Sequence, residues 1–145
     1  MRQDERIGIV GGVGPHAGLD LTRKLFDHTR AEADQEHLPV MLYSFPDRIG
    51  ERPAFLLGKT ADNPGEAIGD IMAELARAGA TVIGMPCNTA HYFYDDLAAL
   101  TDIPFLHMMR IAVHQYVDQF PNSPKIGLIA TEGSIYDHLY EDEIH

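Results

Sequence analysis

Apolar residues fall along the chain in short runs, separated by longer stretches with a helical period. The run at 6–10, with Ile7, Ile9 and Val10, ends in glycines, which predicts a buried parallel strand. Over 15–30, Leu21 and Leu25 are four apart and Leu19, Thr22 and Phe26 flank them, which predicts a helix with Pro15 in its first turn. A second strand is expected at 38–45. The clearest helix is 63–79: Asn63 caps it, Pro64 suits its first position, and Glu66 completes a capping-box-like pattern. Ile68, Ile71, Met72 and Leu75 make its apolar stripe, and Gly79 ends it in a left-handed turn. A third strand follows at 80–85, then a helix carrying His91, Phe93, Leu97 and Leu100. A short strand at 103–107 leads into a helix striped by Met109, Ala112, Val113, Tyr116 and Phe120, and a last strand is expected at 125–130.

Strands alternating with helices mean βαβ units, hence an α/β fold: a flavodoxin-like parallel sheet with helices on both faces. Ligands bind such sheets beyond the carboxyl ends of the strands. The segments there are "GGVGPHA", "PDR", "PCNTAH" and "TEGS". The passages 7–14 and 126–133 also read alike, each apolar-Gly-apolar-apolar, then small residues, then Gly. This echo predicts one α/β domain over 1–120 and the start of a second, truncated one over 121–145.

Composition narrows the function. The chain has 145 residues, 45% of them hydrophobic, enough for a domain with a real core. Its net charge of −11, from 22 acidic residues against 11 Lys plus Arg, argues against nucleic acid and against an anionic membrane surface. No apolar run approaches the roughly 20 residues of a membrane helix. The charged start "MRQDERIGIV" passes straight into a strand, so no signal peptide is expected. One cysteine cannot form an internal disulfide, which suits a reduced, cytoplasmic, soluble protein. The eight histidines show no HxxxH or HExxH spacing, so no metal site is expected.

That one cysteine, Cys87, stands between the end of a strand and the start of a helix, in "MPCNTAH". Free N–H groups at a helix start would stabilise its thiolate, and Asn88 and Thr89 are natural caps and hydrogen-bond donors. The competing reading is a buried cysteine acting as a small hydrophobe. In "GGVGP" the glycines let backbone approach a ligand, and Gly12, Gly14 and Ala17 fit the GxGxxA dinucleotide pattern. The acidic residue that pattern wants could only be Asp47, late and behind a proline; a plain tight turn is the alternative. Arg48, after the second strand, suits bidentate carboxylate binding, against the alternative of an arginine paired with Asp47 or Glu51.

Together, "IGIVGGVGP", "FPDR", "MPCNTAH", "IPFLHM" and "KIGLIATEGS" resemble the aspartate/glutamate racemase family, in order and spacing, over nearly the whole chain. "CNTAH" after an apolar strand is the most specific piece. The resemblance implies racemisation without pyridoxal phosphate or any other cofactor, in a site between two similar α/β domains. Each domain supplies one cysteine, on opposite sides of the substrate α-carbon. Cys87 would be the first acid/base thiol. Asn88 and Thr89 would hold the α-carboxylate or orient the thiolate, and Arg48 would bind a substrate carboxylate. Val13, in place of the usual methionine, would line the pocket. Thr131 and Ser134 would lie at the domain interface, Ser134 in place of threonine.

The family's second cysteine, in a "GCTE"-like segment, and its second-domain lysine are missing from these 145 residues. The expected chain is therefore half of a pseudo-symmetric fold. Its expected ligand is a small acidic amino acid, with a homodimer as one way for a second chain to close the site. Inversion needs a proton donor on each face, so one thiol alone should racemise poorly. Three other functions stay open: a one-cysteine decarboxylase or isomerase of a dicarboxylate, a non-catalytic carboxylate-binding module, and a nicotinamide-binding domain.

Overall fold

The computed structural model describes residues 5–122, 125–136 and 140. Four strands, β1 (Ile7–Gly11), β2 (Val40–Ser44), β3 (Val82–Gly84) and β4 (Phe105–Leu106), form one sheet in the order β2-β1-β3-β4. All pairings are parallel: Ile7 faces Val40 on one side and Val82 on the other, and Ile83 faces Phe105. The order is flavodoxin-like, with the connections reversing direction between β1 and β3. Loops leaving those two strands therefore flank the crevice where such folds bind ligands.

Helix α1 (Pro15–His28) links β1 to β2, and α3 (Pro64–Arg77) leads into β3. Alternate strand residues face opposite sides of a sheet. A Cβ on Gly8 would meet Leu75 and Ala80, at the end of α3 and just beyond it, whereas one on Gly11 would meet Leu42, the side chain that also packs on Gly18 of α1. The two helices thus cover opposite faces.

The α3 stripe is realised as the period predicts. Ile68, Ile71, Met72 and Leu75 are buried, each stabilising the fold by about 1.5–3 kcal/mol through removal from water. Asn63 Oδ1 accepts the Gly65 N–H at 3.0 Å, and Gly79 takes φ 95° past the helix end. Helix α5 (Met108–Gln119) buries Met109 and Val113 of its stripe, while Phe120 is exposed.

Three features differ from expectation. A short helix α2 (Arg52–Leu56) and 3₁₀ turns at Asp34–Glu36 and Pro46–Arg48 occupy stretches too short to show a period. After Cys87 the chain makes a 3₁₀ turn, Thr89–Phe93, before the brief α4 (Tyr94–Ala98), in place of one continuous helix. The expected strand at 125–130 is absent: those residues pair with no described strand, and Ile126, Leu128 and Ile129 are exposed. A strand needs a partner for its backbone groups, and among the described residues none lies beside this one. A helix α6 (Glu132–Tyr136) follows. Of the expected second domain, residues 123–124, 137–139 and 141–145 lie outside the described residues. No described helix is long and apolar enough to cross a membrane.

Candidate functional site

Strand β3 delivers the cysteine. Ile83 and Met85 are buried, which fixes the strand end, and Pro86 then turns the chain. The Cys87 N–H donates back to the Met85 carbonyl at 3.0 Å, and the thiol stays half-buried. Its Sγ lies 3.6 Å from the hydroxyl of Thr89, itself buried. The turn that follows is 3₁₀ and only five residues long, so a long helix dipole does not act on the sulfur. The polar neighbour present at the sulfur is the Thr89 hydroxyl.

His91 holds this loop in place. Its Nδ1 donates to the Cys87 carbonyl at 2.7 Å, and its Nε2 accepts the Met108 N–H at 3.1 Å. A carbonyl can only accept and an amide N–H can only donate, so the ring is the neutral Nδ1–H tautomer. It is 3% exposed, and burial is the first cause that lowers its pKa, assisted by the nearby His107 and opposed by the bond to Cys87. Tyr94 and Phe105 stack on it with centroids 6.0 and 6.1 Å away, and the Tyr94 hydroxyl donates to the Phe105 carbonyl at 2.7 Å. One imidazole thereby ties the cysteine loop to the start of α5. The sequence carried half of this signal: His91 is four residues after Cys87, the spacing at which a side chain reaches back to a carbonyl. The other half depends on β4 lying beside β3.

The remaining expected residues are distributed as follows. Gly12 and Gly14 have φ of 80° and 101°, and a Cβ on Gly12 would come within 2.9 Å of the Phe45 and Pro46 backbone. These glycines therefore bring the loop after β1 against the "FPDR" segment. Val13 is buried in the core cluster. Arg48 donates from Nη1 to Glu74 Oε1 on α3 at 3.0 Å, with its guanidinium over the Phe45 ring. Neither Asp47 nor Glu51 is its partner. Cys87 and Thr89 meet at the sulfur, with Asn88 between them in sequence, and the Arg48 guanidinium is engaged by Glu74.

The Thr131 and Ser134 hydroxyls are 3.2 Å apart, and Ser134 is buried. Helix α2 touches both α6 and the 3₁₀ turn that follows Cys87, with Phe55 against Phe93 at 5.5 Å. Beyond α6, the Tyr140 hydroxyl donates to Asn88 Oδ1 at 3.0 Å across 52 positions of sequence. Sequence reasoning did not find this contact, because nothing local relates the two residues. Among the described residues, no group of three or more His, Cys, Asp or Glu is placed to hold a metal ion.

The family model for Asp/Glu/Hydantoin racemase matches residues 10–145. A broad specificity amino-acid racemase, RacX of Bacillus subtilis (strain 168), is 28% identical over 141 residues, covering 93% of this chain and 58% of that protein. The structure of the Picrophilus torridus aspartate racemase superposes with a TM-score of 0.83 at 28% identity, over 97% of this chain and 58% of that one. An aspartate racemase homologue from Pyrococcus horikoshii OT3 shares the fold, with a TM-score of 0.75 at 20% identity, over 97% of this chain and 60% of that one. The chain thus spans about 58% of the length of the first two relatives.

Proposed function

The chain belongs to the Asp/Glu/hydantoin racemase family, and on that premise we propose that Cys87 is an acid/base thiol in cofactor-independent racemisation of an acidic amino acid. The observation that carries this reading is the placement of Cys87. A half-buried thiol stands past the carboxyl end of β3, with a hydroxyl at its sulfur and its backbone clamped by His91.

The chemistry follows from those positions. The thiolate takes the α-proton: an S–H bond forms, the Cα–H bond breaks, and its electron pair moves into the α-carboxylate. N–H and O–H donors at that carboxylate stabilise the charge as it builds. Asn88 and Thr89 adjoin the sulfur in sequence and supply such donors. Thr131 and Ser134 add hydroxyls on the segment that α2 links to this loop. Arg48 enters only by exchanging Glu74 for a substrate carboxylate. Return of the proton to the same sulfur's face gives exchange without inversion, so racemisation needs a second donor on the far face. Cys87 is the one thiol of these 145 residues, so within them that donor would be another residue type, and a second thiol would have to come from outside them.

The name of the Picrophilus torridus relative makes aspartate the first substrate to try. Incubation with L-aspartate in deuterated water tests the reading, because loss of the α-proton needs one thiol and one face only. Exchange that disappears with Cys87→Ser supports it; no exchange with aspartate, glutamate or other acidic amino acids counts against it. A second reading uses Cys87 alone: decarboxylation or isomerisation of a dicarboxylate with protonation on one face. Loss of carbon dioxide, or a rearranged product without D-amino acid, would select it.

A further inference from the structure

Asn88 has a planar amide with one accepting end and one donating end. The accepting end is occupied, since Oδ1 takes the Tyr140 hydroxyl proton at 3.0 Å. No acceptor for Nδ2 is found among the described residues, which leaves two N–H donors free one residue from the Cys87 thiol. Had the amide been unheld, it could turn its oxygen toward an incoming carboxylate and repel it. A phenol that donates to Oδ1 favours the opposite orientation, which the flipped amide could match only by turning the phenol into an acceptor.

We propose that Tyr140 is a positioning residue: it holds the Asn88 amide so that both N–H donors face the α-carboxylate of an amino acid bound beside Cys87. The inference rests on the reading of Cys87 as the acid/base thiol, and it assigns Tyr140 a part that none of the motifs above includes. The α-carboxylate is the group concerned, because it is bonded to the carbon on which the thiol acts, and Asn88 follows that thiol directly. Two further features suit the role. Burial raises the Tyr140 pKa, so the phenol keeps its proton, and remains a donor, through neutral and mildly alkaline pH. Its position beyond α6 also makes substrate recognition depend on a contact made across 52 positions of sequence.

The test is a double-mutant cycle on the full chain: wild type, Tyr140→Phe, Asn88→Ala and the double variant. Two quantities are read, the L-aspartate dissociation constant by titration calorimetry and the Asn88 side-chain amide pair in ¹⁵N–¹H spectra. Tyr140→Phe should shift that amide pair and weaken aspartate by about five- to tenfold, the effect of one hydrogen bond. In the Asn88→Ala background the same change should add nothing. An amide pair that ignores Tyr140→Phe, or an equal loss in both backgrounds, would overturn the proposal while leaving the reading of Cys87 standing. A wild-type chain that binds no aspartate would overturn the reading of the pocket, and this proposal with it.

Discussion

Two stretches of this chain carry similar apolar sequences, "TVIGMPCNTAH" and "KIGLIATEGS", and they end in different states. The first becomes β3. It has β1 on one side and β4 on the other, and Ile83 is wholly buried between helical layers. The second lies with Ile126, Leu128 and Ile129 exposed and pairs with no described strand. The apolar pattern allows a strand in both places; neighbouring strands make one in the first. The chemistry follows the same division. The cysteine loop is fixed from within by a buried imidazole with two backbone partners, whereas the later segment offers a hydroxyl pair, Thr131 with Ser134, and the reach of Tyr140 to Asn88. One region holds a thiol still, and the other sends a phenol to the residue beside it.

The largest effect on this contrast should come from His91→Phe. Phenylalanine keeps the stack with Tyr94 and Phe105 but strands the Cys87 carbonyl and the Met108 N–H. Leaving both unpaired should cost about 2–4 kcal/mol of stability, read as a lower urea midpoint. His91→Asn, which can still reach the Cys87 carbonyl, should recover part of the loss. A variant as stable as wild type would mean that the loop is held by something else.

Acid should loosen the same clasp. The folded-state pKa of His91 is lowered, mainly by burial. The unfolded chain takes up that proton near pH ~6.5, the folded chain only at lower pH. Between the two values the unfolded state binds more protons, so the contribution is complete above about pH 6.5 and is lost as pH falls toward the folded value. Denaturation midpoints should therefore drop below that pH, and His91→Phe should flatten this part of the profile. An identical slope in the variant would assign it to other groups.

A smaller effect is expected at the Arg48–Glu74 pair, where both side chains are about one-third exposed. Glu74→Gln should change stability by about 1 kcal/mol or less. If Arg48 serves the site by exchanging partners, the same variant binds L-aspartate more tightly; unchanged affinity would leave Arg48 a structural residue. The smallest effect belongs to the exposed segment. Ile129→Lys should alter stability by no more than about 0.5 kcal/mol, and a larger loss would show that this side chain packs against something in solution.

What could be read from sequence was what local pattern encodes. Strands β1 to β4 and helices α1, α3 and α5 have a period, a cap or a proline that marks them. Helix α2 is too short for a period, and the 3₁₀ start after Cys87 separates the cysteine from the helix proper. The site divides in the same way. Cys87, Asn88 and Thr89 are contiguous, so their motif brought them together. The partners that set their chemistry are distant: Met108 for His91, Glu74 for Arg48 and Tyr140 for Asn88. Those contacts depend on how strands and helices stack, which no local spacing encodes.

Whether Cys87 takes the α-proton is tested most directly by exchange at the α-carbon of L-aspartate in deuterated water, followed by NMR. This needs only one base and one face, so it does not depend on where the second proton donor resides. The wild-type chain should lose the α-proton signal, and Cys87→Ser should slow that loss by about 100- to 10,000-fold, the usual contribution of a positioned acid/base group. Exchange that proceeds equally well without the thiol, or an α-proton that wild type binds beside but never exchanges, would contradict the assignment.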